Sequence, residues 1–330
     1  MTTDPRAAQA RQGRPKLPRA VVQVLGWCLA LALIGAALWY VRGQLPAIRE
    51  VARSVHPRWG LIAVATTIVL LTYALLIECW RFVLAELGAH LSRSDAMIVW
   101  FASSLARYLP LSGWQLAVMT LMAKRRNVPV TISAAASVVI TVTNLLTGLL
   151  VFVVASATRP ALRGARVWMV LGASIVLLLA PIIVPRLAVL LKSVMGRELV
   201  LPQISARAIL GALVGTALAW IAYGVAFWVL TQSIFPDASR SVAGCIALYT
   251  GAYMAGLLAL VPPAGLGAAE FALVALSEQL GLFGRPEASV LALVVRVWRT
   301  GLEVIPGVVA LGATTLLGAR RRGLSAQHDE

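Results

Sequence analysis

Acid is scarce in this sequence: Asp and Glu number 13 in 330 residues, and all charged types together make up 13%. A soluble domain carries roughly 25% charged residues, so a water-exposed globule is excluded. Cysteine is equally sparse. Cys28, Cys79 and Cys245 all sit in apolar stretches and none forms a C-x-x-C, which leaves neither a disulfide framework nor a zinc motif. His56, His90 and His328 are too scattered for a metal cluster. No metal and no other cofactor is expected.

What the chain has in quantity is apolar sequence, 60% of it, together with 29 Lys and Arg that give a net charge of +16. Such a charge can signal nucleic acid. Here the basic residues lie in tails and in loops between long apolar runs, where they set membrane topology or meet anionic lipid. Nucleic acid is therefore not an expected partner.

Six runs reach the ~20 residues needed to cross a ~30 Å hydrocarbon core: Val21–Val41, Trp59–Trp80, Val130–Ser156, Val167–Leu191, Ala208–Leu230 and Ala288–Leu316. The first follows a basic, proline-containing segment, residues 1–20, which reads as a disordered tail. At 21 residues the run is longer than a signal-peptide core and no clear cleavage site follows, so it reads as an uncleaved helix. Residues 21–318 form a single transmembrane domain in this reading, and 319–330 a short tail.

Two further apolar regions are interrupted. Ala96–Ala123 is broken by Arg107-Tyr108-Leu109-Pro110-Leu111-Ser112-Gly113, leaving arms of ~21 Å of helix, too short to cross. Val242–Leu280 is broken by Val261-Pro262-Pro263-Ala264-Gly265-Leu266-Gly267; its first arm is long enough to span and its second is marginal. Proline and glycine break helices, and a broken helix at membrane depth must be covered by protein or line a polar cavity. Both regions read as re-entrant helical hairpins. The fold class is thus an all-α polytopic membrane protein with about six spanning helices and two re-entrant hairpins.

Starting with the N-terminus inside, 17 Lys and Arg fall on inner segments, 9 on outer loops, and Arg107, Arg296 and Arg299 within apolar segments. This asymmetry puts both termini in the cytoplasm of a cell (inner) membrane. A weak repeat is also visible: each hairpin leads through a short polar turn with proline (Asn127-Val128-Pro129, Gly284-Arg285-Pro286) into a long helix. Three spans separate the hairpins, so the units enter from opposite faces, a plan common in transporters.

Ionisable residues at membrane depth are costly and point to function. Here they are Glu78, Arg81, Arg107, Glu270, Arg296, Arg299 and Glu303. Positions 296, 299 and 303 share one helical face. Two readings stay open: a structural salt bridge (Arg299 with Glu303, or Arg296 with Glu270 or Glu78), or a polar groove for an anionic head group. The two are compatible, because a phosphate competes for guanidinium groups. Glu78 and Arg81 are a candidate structural ion pair. Glu270 follows the Pro-Gly turn and either caps the next helix or acts as a coupling or gating carboxylate. Gly211-x-x-x-Gly215 is a helix-packing motif.

Four stretches carry a family resemblance: Cys79-Trp80-Arg81-Phe82; Ala106-Arg107-Tyr108-Leu109-Pro110 with Trp114-Gln115; Val261–Glu270; and Arg296. They resemble the transmembrane-region family of lysylphosphatidylglycerol synthetases, a flippase-like membrane domain, over about residues 20–318. The third stretch looks like that family's Pro-Gly-Gly-x-Gly-x-x-Glu turn, with Ala264 in place of the first glycine and Ala269 where arginine often precedes the glutamate. Asn144 is the nearest polar group where many relatives carry an acid. The resemblance implies lipid translocation, with the separate aminoacyltransferase domain absent.

The expected function is a transporter that moves or presents an anionic or glycosylated lipid head group. Its groove would be built from Arg107, Tyr108, Pro110, Trp114, Gln115, Pro262, Pro263, Gly265, Gly267, Glu270, Arg296, Arg299 and Glu303. The alternatives are an integral-membrane enzyme, which would need paired carboxylates or a metal, and an accessory subunit of a polyprenyl- or hopanoid-linked lipid pathway. Expected partners are a phospholipid or glycolipid and lipid-synthesis enzymes.

Overall fold

A computed structural model describes residues 56–109, 114–157, 204–236, 240–259 and 263–326, together with Arg42 and Pro46. The spans expected at Val21–Val41 and Val167–Leu191, the basic tail, Pro110 and Pro262 lie outside the described residues. Among the described residues there are eight helices and no strand: α1 (Trp59–Glu86), α2 (Arg93–Ser104), α3 (Trp114–Lys124), α4 (Val130–Ala155), α5 (Ala206–Ile234), α6 (Val242–Leu258), α7 (Ala268–Gln279) and α8 (Arg285–Ala326). The chain is an all-α membrane protein.

Three helices, α1, α4 and α5, are long and apolar enough to cross a membrane. Their 28, 26 and 29 residues give roughly 39–44 Å of helix, more than the ~30 Å core requires. α1 runs six residues past the expected Trp80, and α8 continues beyond Leu316 to Ala326. Serine caps open several helices: the Oγ atoms of Ser92, Ser205 and Ser241 accept from the backbone N–H of Asp95, Ala208 and Gly244, satisfying donors that the first turn leaves open.

The two interrupted regions are broken where proline and glycine cluster. α2 passes into a 3-10 turn at Leu105–Tyr108 before α3; α6 is followed by a 3-10 turn at Pro263–Gly265 and then α7. The arms α2, α3 and α7 have 12, 11 and 12 residues, only ~17–18 Å each. Arms of each pair pack on one another, and the two 3-10 turns meet.

The hairpins enter from opposite ends of the bundle. At one end, Arg126 Nε donates to Asp95 at 2.7 Å, tying the feet of α2 and α3, and Arg93 reaches Glu78 of α1 at 3.1 Å. Ser205 at the start of α5 donates to Glu86 there, at 2.8 Å. At the other end, Arg58 N–H donates to Ser233 O, Trp228 Nε1 donates to the carbonyl of Arg240, and Arg240 lies 3.5 Å from Glu287 of α8. Glu278 at the foot of α7 pairs with Arg285 at this same end. The tips therefore converge in the interior, between feet that face opposite ways.

Close approach fixes the scaffold around them. A Cβ on Gly215 would lie 2.0 Å from Cys79 Sγ, and one on Gly211 would lie 2.5 Å from the Phe82 ring. The expected packing motif is thus the seam between α5 and α1. Thr147 of α4 donates to Thr216 of α5 at 3.0 Å, and Trp298 of α8 to Thr66 of α1 at 2.9 Å.

Candidate functional site

α8 presents Arg296, Arg299 and Glu303 to the converging tips. Glu303 is 4% exposed, and both of its oxygens are occupied. Oε1 accepts from Arg107 Nη1 at 3.0 Å and from Arg299 Nε at 3.1 Å; Oε2 accepts from Tyr108 OH at 3.0 Å. Arg107 and Tyr108 belong to the first tip. They reach α8 because Gly307, one turn beyond Glu303, has no side chain: a Cβ there would meet Leu105 at 2.7 Å and the Phe101 carbonyl at 2.9 Å. Arg107 also donates through Nε and Nη2 to Gln115 Oε1 at 3.2 and 3.1 Å, and through Nη1 to Tyr253 OH at 3.3 Å.

The second tip is tied to the same helix with the signs reversed. Arg296 Nη1 donates to the carbonyl of Ala264 at 3.1 Å and lies 3.3 Å from Glu270 Oε1. The turn bends tightly enough that Ala264 and Gly265 both take positive φ, 50° and 68°. A Cβ on Gly265 would lie 2.6 Å from the carbonyl oxygen of Gly256. Glu270 Oε2 accepts from Gly267 N–H at 2.7 Å, half of a capping box, since glycine offers no side chain in return. Glu270 thus both caps α7 and pairs with Arg296. The first tip supplies a cation to a carboxylate of α8, and the second supplies a carboxylate to a cation of α8.

Between the tips lies a cavity of about 470 Å³, lined by Arg107, Gln115, Arg299 and Glu303, by Asn144, and by a wall of aromatic rings. A second, about 30 Å³, is lined by Glu270, Arg296 and Arg299. Among the described residues, three guanidiniums stand against two carboxylates here, an excess of one positive charge. The Nη2 atom of Arg296 is buried and has no hydrogen-bond partner among the described residues. Also among the described residues, no three His, Cys, Asp or Glu side chains are grouped to hold a metal.

Of the residues singled out from the sequence, Arg107, Tyr108, Gln115, Glu270, Arg296, Arg299 and Glu303 come together here. Trp114 lines the larger cavity, Gly265 and Gly267 shape the second tip, and Pro263 opens its 3-10 turn. Glu78 and Arg81 stand apart as an ion pair with each other. Glu78 also takes Arg93, while Arg81 Nε donates to the carbonyl of Leu91 at 2.9 Å. Arg296 pairs with Glu270 and not with Glu78. The aromatic wall was missed from sequence. Tyr73, Tyr223, Tyr249 and Tyr253 all line the cavity with Trp220 and Trp100, so every described tyrosine belongs to this region. The available signal was spacing: Tyr249 with Tyr253, and Trp220 with Tyr223, share helical faces.

Residues 27–307 match the family described as the lysylphosphatidylglycerol synthase TM region. The chain belongs to this family. The matched span takes in both hairpins and the polar face of α8 through Glu303. No curated protein matches the chain. As a lysylphosphatidylglycerol synthase TM-region protein, it is a lipid-related membrane protein whose family is tied to phospholipid metabolism.

Proposed function

We propose that this protein is a lipid transporter of the inner membrane that draws an anionic head group into the cavity between its two hairpin tips while the acyl chains stay in the bilayer. The observation that carries this reading is the excess positive charge: among the described residues, Arg107, Arg296 and Arg299 face two carboxylates, Glu270 and Glu303. An unneutralised arginine at such depth is costly; a phosphate supplies both the missing charge and acceptor oxygens suited to guanidinium. Arg296, whose buried Nη2 has no hydrogen-bond partner among the described residues, is the residue best placed to gain. Hairpins of opposite entry around a central polar site suit alternating exposure to the two leaflets.

The test is Arg296→Gln, reconstituted in vesicles with fluorescent anionic and zwitterionic lipids. A charge-assisted hydrogen bond is worth ~1.5–3 kcal/mol, so movement of the anionic lipid should fall roughly 10- to 100-fold, with folding and zwitterionic background unchanged. Parent-like movement of anionic lipid by a folded Arg296→Gln protein would remove Arg296 from the binding role.

A further inference from the structure

The two cavities are neighbours divided by one wall. Arg299, Tyr253, Tyr249 and Ala269 line both of them. The guanidinium of Arg299 lies over the Tyr253 ring, 4.2 Å from its centre. The stack is held from several sides. Arg299 Nε donates to Glu303, the Tyr253 hydroxyl accepts from Arg107, and Trp220 meets the Tyr253 ring edge-on at 5.1 Å.

The cavities also differ in direction. The larger extends along α3 and α4 to Met119 and Thr141, toward the end where the first hairpin has its feet. The smaller extends to Leu273 and Ala292, toward the feet of the second. At about 30 Å³ the smaller space admits something the size of a water and is too small for a phosphate group, yet the unpaired Nη2 of Arg296 belongs to a residue in its wall.

We propose that the Arg299–Tyr253 stack is a gate between two anion subsites, one at Arg107 and Arg299 in the larger cavity and one at Arg296 in the smaller. This rests on the transport reading above. An anion in the larger cavity competes with Glu303 and with the Tyr253 ring for Arg299. Once Arg299 turns to the anion, the stack separates, the smaller cavity enlarges, and Arg296 Nη2 receives an acceptor that the described residues do not supply. With Arg299 on Tyr253, the passage between the two ends is shut.

Accessibility measures the gate without depending on transport. Ala292→Cys probes the smaller cavity and Thr141→Cys the larger, each with Cys28, Cys79 and Cys245 changed to alanine. A small anionic methanethiosulfonate is applied in membrane vesicles from the side of the first hairpin's feet. Thr141→Cys should react readily and Ala292→Cys at least tenfold more slowly. Adding Tyr253→Ala should raise the Ala292→Cys rate tenfold or more and leave the Thr141→Cys rate unchanged; Arg299→Lys, which keeps charge but loses the flat stacking surface, should do the same if Tyr253→Ala fails to fold. Equal parent rates at the two cysteines would overturn the gate. So would an Ala292→Cys rate that stays low in a folded gate variant. A correct labelling pattern with no lipid movement by the parent would keep the gate and refute the transport reading instead.

Discussion

Replacing Glu303 by glutamine removes a buried charge that holds two guanidiniums at once. The carboxylate is 5% exposed and accepts from Arg107, Arg299 and Tyr108. Glutamine keeps a single acceptor oxygen, and its NH₂ cannot accept from the Tyr108 hydroxyl. The excess charge among the five ionisable groups rises from +1 to +2. Breaking a buried pair by removing one partner costs ~3–5 kcal/mol. With one hydrogen bond retained, the loss should fall near ~3 kcal/mol, about two powers of ten in the folding equilibrium. Glu78→Gln is the matched control. Its carboxylate is 44% exposed and also serves two arginines, but pairs of that kind are worth ~1 kcal/mol or less. Unfolding in detergent, followed through the buried Trp80 and Trp220, compares the two variants. Anionic lipid should restore Glu303→Gln more than it stabilises the parent, and zwitterionic lipid should not. If Glu303→Gln is no less stable than Glu78→Gln, the carboxylate does not hold the hairpin tip to α8, and the charge argument for the site fails with it.

Gly265→Ala forces a side chain into positive φ and against the Gly256 backbone, so it should cost at least ~2 kcal/mol in thermal unfolding. Gly60→Ala, with open space around it, should be neutral or stabilising by up to ~1 kcal/mol. Single cysteines at Arg125 and Gln279, both exposed and at opposite ends of the bundle, test orientation. Gln279→Cys should react with an impermeant reagent in intact cells, and Arg125→Cys only after the membrane is breached; the reverse pattern would invert the topology.

Much of the architecture was legible because its causes are local. Long apolar runs demand helices in a bilayer, and among the described residues α1, α4 and α5 are such helices. Proline and glycine clusters remove helix hydrogen bonds wherever they occur, and the α2–α3 and α6–α7 breaks sit at those clusters. The 3.6-residue period alone aligned Arg296, Arg299 and Glu303 on one face of α8. The aromatic wall escaped notice because a tyrosine in an apolar run fits a lipid-facing, an interfacial or a buried position equally well.

The class of the protein, the points where its described helices break, and the alignment of Arg296, Arg299 and Glu303 on one face could all be read from the sequence. The tertiary structure alone decided partnership: Arg107 finds Glu303 across 196 positions of chain, Arg296 takes Glu270 rather than Glu78, and Arg299 lies on Tyr253. Those pairings depend on how two hairpins of opposite entry meet one helix, through close approaches such as that at Gly307. Periodicity and propensity act over a turn or two of helix, whereas a salt bridge between distant segments exists only once packing has brought them within about 3 Å of each other.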